Sequence, residues 1–235
     1  MHHWPLFLFT LALQIAAGGF LTLALAPSQE KSNAKACVSL AACAVFGTLC
    51  SLAHLGDMFG AYRALANIGS SWLSREVWLV SIFTLLALFS AYQAKRETLR
   101  KGLLWATAGC GLLAVGASGA VYATTAMPQW SVFAEFPYLA FFASTLLLGP
   151  GLVFLLQQKT TTIGTILMAS GGLLLLLSAS YGSPSALAVI RFLLAGLGLC
   201  LMLIGSGKQP DKFAPLALVL LVLSEGIGRY LFFSE

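Results

Sequence analysis

Charge is the scarcest feature of this chain. Of its 235 residues only 9% are charged and 59% are hydrophobic, and the mean hydropathy is +0.89. One or two soluble domains, which the length alone would suggest, are excluded because a water-facing surface needs far more charge. Histidine is scarce as well: His2 and His3 sit at the extreme N-terminus, and only His54 lies at an apolar span. Holding a haem between two helices takes a His on each, so bis-His haem is excluded, and zinc fails for the same shortage of ligands. The cysteines at 37, 43, 50, 110 and 200 form no CxxC pair. They read as small polarizable packing residues, not as ligands of an iron–sulfur cluster. Short alternating strands are missing too, which excludes a β-barrel.

What the chain has in abundance is apolar runs of helical length. A helix rises about 1.5 Å per residue, so crossing a hydrocarbon core of about 30 Å takes about 20 apolar residues. Eight such spans are predicted, at roughly 4 to 26, 36 to 55, 75 to 94, 102 to 125, 137 to 156, 163 to 180, 185 to 206 and 213 to 233. Short loops make sequential neighbours antiparallel, so the expected fold is all-α. It is a polytopic membrane protein, an up-and-down bundle of eight transmembrane helices forming one domain over 1–235. The first span could pass for a cleaved signal because "LALA" ends at Ala26. No Lys or Arg precedes it, and its apolar run exceeds the roughly 7 to 15 residues of a signal core, so it is expected to remain a helix.

The few cations are distributed unevenly. Lys31, Lys35, Lys95, Arg96, Arg100, Lys101, Lys159, Lys208 and Lys212 fall on one side of this topology, against Arg63, Arg75, Arg191 and Arg229 on the other. Positive loops stay in the cytoplasm, so both termini are expected outside it, in the periplasm of a Gram-negative host. The acids divide the other way: Asp57, Glu76, Glu135, Glu225 and Glu235 are outside, and Glu30, Glu97 and Asp211 inside. The net charge of +5 is therefore topological and gives no argument for nucleic-acid binding.

One stretch concentrates ionisable groups. "AHLGDMFGAYRALANIGSSWLSREVW", residues 53–78, carries one His, one Asp, two Arg and one Glu. Met58, Tyr62, Leu65 and Ile68 fall at near-helical spacing between Gly56 and Gly69. Segment 56–73 is thus expected to form a short interfacial helix, with Tyr62 and Trp72 near the headgroups. Ser74 is expected to cap the third span and to place Glu76 in its first turn, where the helix dipole favours a carboxylate. Taken singly, Asp57, Arg63 and Arg75 read equally well as solvated loop charges. His54 and Glu76 differ, because each joins an apolar span where an ionisable group is costly and usually has a task. In the last span Glu225 and Arg229 stand four apart and can pair, as an internal salt bridge or as part of a site. Arg191 reads as an anion partner or as a snorkelling anchor. Gly102, Ala106, Cys110, Ala114 and Ser118 form a small-residue stripe suited to close helix packing. The leucine run at 173–177 is lipid-facing or core filling.

Three segments in order resemble one family. "HHWPLFLFTLALQIAAGGFLTLAL", "SLAHLGDMFGAYRALANIGSSWLSREV" and "SEGIGRYLFF" are similar to the opening, second signature and close of membrane anchor subunits of the dimethyl sulfoxide reductase type. The resemblance implies an eight-helix anchor in the bacterial cytoplasmic (inner) membrane, with outward termini and no haem, iron–sulfur cluster or metal of its own. It implies two partners, a molybdenum-cofactor catalytic subunit and an iron–sulfur electron-transfer subunit, and a bound substrate, menaquinol, oxidised near the periplasmic face. The family's quinol-site His and Glu fall here on His54 and Glu76. Asp57, Arg63, Trp72, Arg75, Glu225 and Arg229 are candidate supporting residues. A proline often found two residues after the family's "HLG" is replaced, since this chain continues with Asp57 and Met58. The polar stretch at 181–184 and the C-terminal tail are short.

The chemistry points the same way. A quinol yields two electrons only as it yields two protons, and its hydroxyls are poor acids at neutral pH. A base must stand within reach: His54, of a type with an unperturbed pKa of about 6.5, can accept a proton, and Glu76 can accept a hydrogen bond or relay one outward. Without a redox cofactor in the chain, the electrons must pass to a cluster in a docked partner. Two other readings stay open: a multi-pass transporter whose outer polar cluster is a gate, and a purely structural anchor.

Overall fold

The structure, a computed structural model, describes residues 4–26, 30–53, 65–124, 135–158, 161–178, 185–205 and 210–234. These form eight α-helices: α1 (Trp4–Leu25), α2 (Glu30–Ala53), α3 (Trp72–Lys95), α4 (Lys101–Thr124), α5 (Phe136–Gln157), α6 (Thr162–Ser178), α7 (Ala186–Gly205) and α8 (Pro210–Ser234). All eight expected spans are present, and no strand occurs among the described residues. Seven helices are long and apolar enough to cross a membrane; α6, with 17 residues, is shorter. Helix α2 begins six residues before the apolar run does, so it carries Asn33 and Lys35 in its polar end.

The bundle is built of two rings joined at their first helices. In the first, α1 packs on α2, α2 on α3, α3 on α4 and α4 back on α1. In the second, α5, α6, α7 and α8 close in the same order, and α1 lies against α5 along the middle. Phe20, Leu40 and Phe83 fill the first ring, and Leu147, Leu175, Met202 and Leu221 the second. The junction is tight because both helices offer glycine: a Cβ on Gly18 would collide with the backbone carbonyl of Thr145, and one on Gly149 with the backbone of Gly18 and Gly19. Neither obstacle is a flexible side chain. Gly18→Ala is therefore expected to cost stability at the upper end of the ~1–3 kcal/mol typical of overpacking. Gly109→Ala, which meets nothing within 4 Å, is expected to be neutral or better in the same unfolding assay in detergent.

The predicted small-residue stripe on α4 packs only in part. Gly102 and Ala106 are exposed, and it is Gly111, one residue off the stripe, that meets Phe83 and Ala17, while Ala114 and Ser118 are buried. Lipid contact instead falls to large side chains such as Leu85, Leu113, Leu173, Leu193 and Tyr230. The leucine run proves to be both things at once: Leu173, Leu176 and Leu177 face outward, and Leu175 fills the core. The five cysteines are free and dispersed.

Candidate functional site

The third span begins three residues earlier than the sequence suggests. Its N-cap is Ser71, whose hydroxyl accepts from the Ser74 amide at 3.4 Å, so Ser74 is inside the helix and is not the cap. Glu76 consequently lies beyond the first turn, and its partner is a side chain in place of the helix end. Ser118 of α4 donates a hydrogen bond to Glu76 Oε1. Glu76 is 6% exposed and Ser118 fully buried, and Glu76 sits near the N-terminal end of α3, about 6 Å from its start by helical rise. A stripe residue read as packing thus supplies the hydroxyl that makes burial of a carboxylate tolerable.

Neighbouring candidates point elsewhere. Arg75 wraps back onto the preceding turn, donating to the carbonyls of Ile68 at 3.0 Å and Gly69 at 2.7 Å, with its guanidinium 4.5 Å from the Trp72 ring centroid. Trp78 also ties this turn down, through the Leu65 carbonyl at 3.1 Å. Arg75 and Trp72 therefore form an exposed clamp at the entrance to α3, while Glu76 faces inward. His54, Asp57 and Arg63 lie outside the described residues, as does most of the expected interfacial segment. Its described end is helical at 65–66, turns over 67–70 and runs into α3 at Trp72, with Leu65 and Ile68 exposed.

A second polar cluster is buried between α1, α5, α7 and α8. Glu225 does not pair with Arg229 four residues on, as the spacing suggests, but with Arg191 of α7, at 3.4 Å. Arg229 donates to Gln14 Oε1 on α1 and to Ser144 Oγ on α5, the latter at 2.9 Å, and Ser144 donates in turn to Glu225. Ser144 thus stands between the two residues expected to touch. Arg191 is held further: the Ser224 hydroxyl donates to its carbonyl at 2.8 Å, and its guanidinium lies on Gly228, where a Cβ would come within 2.5 Å. It is 7% exposed, which rules out the snorkelling anchor. Gln14, Glu225 and Arg229 are at most 1% exposed, and Gln14 and Glu225 lie near the middle of their helices. Burial with a partner is what permits charge at this depth in an apolar bundle.

Aromatic side chains separate the two clusters. Tyr122, one turn beyond Ser118 on α4, packs edge-on against Phe141 at 5.5 Å and Phe232 at 5.4 Å, and Arg229 lies 4.3 Å over the Phe141 ring. Tyr122 is within electrostatic reach of both Glu76 and Arg229. Gln14, Ser118, Ser144 and Ser224 were not among the predicted site residues. Gln14 carried a signal, as the one amide in an otherwise apolar span; the serines carried none.

The family described as DMSO reductase anchor subunit (DmsC) matches residues 1–181. The chain belongs to that family. Among curated relatives, an anaerobic dimethyl sulfoxide reductase subunit of Escherichia coli is 27% identical, covering 99% of this chain and 94% of its own length. A second anaerobic dimethyl sulfoxide reductase subunit of the same organism, YnfH, is 28% identical with the same coverage. An anaerobic dimethyl sulfoxide reductase subunit of Haemophilus influenzae is 29% identical over 56% of this chain and 50% of its own. No solved structure matches. The anchor subunit is thus a multi-pass membrane protein. Its family match covers α1 to α6, with Glu76, Ser118, Gln14 and Ser144. Arg191, Glu225 and Arg229 lie beyond that match, but within the full-length likeness to the two Escherichia coli proteins.

Proposed function

We propose that this anchor subunit binds menaquinol at the outer, periplasmic end of its first helix ring and oxidises it with His54 and Glu76 as proton acceptors. The electrons pass to an iron–sulfur subunit and from there to a molybdenum-cofactor catalytic subunit, both held on the bacterial cytoplasmic membrane by this chain. Both termini are periplasmic on this reading. The observation that carries it is Glu76: a carboxylate buried in an apolar bundle near one membrane face, with Ser118 as its hydrogen-bond partner. The Thr48 and Thr84 hydroxyls bond at 2.9 Å between antiparallel α2 and α3, which by equal rise sets Ala53, the last described residue of α2, level with Leu79, one turn from Glu76.

In the assembled complex, His54→Gln is expected to cripple quinol-driven reduction while leaving reduction driven by an artificial dye intact. Normal quinol-driven turnover in that variant would rule out the proton-accepting role. The mid-depth position of Gln14 and Glu225 favours a second reading, a solute path between α1, α5, α7 and α8, since transporters place their sites near the midplane. Uptake of a solute by vesicles containing this subunit alone would establish it.

A further inference from the structure

The described cavity of about 170 Å³ lies at the opposite end of the first ring from Glu76, at the end that bears most of the lysines and arginines. It opens between the ends of α1 and α3 and the starts of α2 and α4. Leu23, Leu99 and Leu104 give it apolar walls, and Asn33, Glu97 and Lys101 give it polar ones.

Two features make this cavity specific. First, Glu97 and Lys101 face the same space carrying opposite charges, yet they are not ion-paired with each other; among the described residues the ion pair is Arg191–Glu225. Second, the chain holds Glu97 there at some expense. It follows the C-terminus of α3 with φ of 56°, the left-handed position that glycine ordinarily takes after a helix. The turn is closed by the Thr98 amide donating to the Gln93 carbonyl at 3.0 Å.

A guest for such a place carries an anion and a hydrogen-bonding cation a few ångströms apart, joined to an apolar body. We propose that it is the headgroup of one phosphatidylethanolamine molecule from the adjoining leaflet, with its phosphate on Lys101 and its ammonium on Glu97. Exposed Tyr92 and Trp105, one turn from either side of the site, stand where interfacial aromatics mark the headgroup level. Phosphatidylcholine offers the phosphate but no ammonium N–H, and phosphatidylglycerol no cation. A soluble zwitterion would leave the leucine walls uncovered. This inference does not depend on the quinol reading.

The test uses the whole complex in nanodiscs containing equal parts phosphatidylethanolamine, phosphatidylcholine and phosphatidylglycerol, with retained lipid counted by native mass spectrometry after gentle extraction. Phosphatidylethanolamine is expected to be enriched over the other two. Glu97→Gln and Lys101→Gln should each lower that enrichment roughly fivefold, the loss of one exposed ion pair. Arg96→Gln, an exposed neighbour that does not line the cavity, should leave it unchanged. Equal retention of the three lipids, preference for phosphatidylglycerol, or an equal loss in Arg96→Gln overturns the proposal. So does displacement of the lipid by millimolar soluble phosphoethanolamine, which would assign the site to a free zwitterion.

Discussion

Glu76→Gln is expected to lower quinol-driven turnover of the assembled complex by about a hundredfold or more, the usual worth of a positioned acid–base group. The amide has nearly the volume of the carboxyl, and its oxygen can still accept from Ser118, so packing and the hydrogen bond survive. What disappears is the capacity to take up a proton. Dye-driven reduction, which bypasses the membrane subunit, should be unaffected. A loss confined to quinol-driven turnover identifies the carboxylate as part of the proton path. Equal losses in both assays would show instead that Glu76 holds the complex together.

Glu225→Gln is expected to be the most destabilising single substitution in the second ring, at about 3–5 kcal/mol, the cost of leaving a buried charge without its partner. Glu225 is the carboxylate of a cluster that also holds Arg191 and Arg229, so its removal strands two guanidinium groups in a lipid-embedded interior. Arg191→Met should cost much less. Glu225 would then keep Arg229, its neighbour four residues on, joined to it through Ser144. Unfolding in detergent at increasing denaturant compares the two variants directly. Equal destabilisation would mean that charge balance does not hold this cluster together.

The contrast between the two clusters shows what a sequence of this kind makes legible. The eight spans could be read because lipid leaves a chain little choice: backbone groups must bond within the helix, and apolar side chains must cover it for about 20 residues. Glu76 stood out for the same reason, as a charge where charge is expensive. The partners were hidden. Ser118 looks like any other small residue on a packing stripe, and nothing local distinguishes a serine that lets a helix approach from one that donates a hydrogen bond to a carboxylate. Spacing suggested Glu225 with Arg229, but tertiary contacts decided otherwise. Gln14 and Arg229 are 215 residues apart, and Ser144 and Glu225 are 81 apart. The start of α3 lies three residues before the one Ser74 suggests, because a second serine stands one turn upstream and takes the cap: Ser71, with extended φ and ψ of −115° and 124°.

The architecture adds something that the order of the spans did not reveal. Two four-helix rings meet along α1 and α5, each first helix bringing glycine to the junction. Glu76 belongs to the first ring and the Arg191–Glu225 pair to the second, with Tyr122 and Phe141 between Glu76 and Arg229. Substitutions in one ring can therefore be tested for activity without removing the ion pair that stabilises the other.

The decisive measurement is titration of the purified complex with a fluorescent menaquinol analogue, comparing the natural protein with His54→Gln and Glu76→Gln. Saturable binding that both substitutions weaken, with the catalytic subunit still active toward dye, is the expected result. Binding of undiminished affinity in both variants would place the quinol elsewhere and leave this subunit a structural anchor.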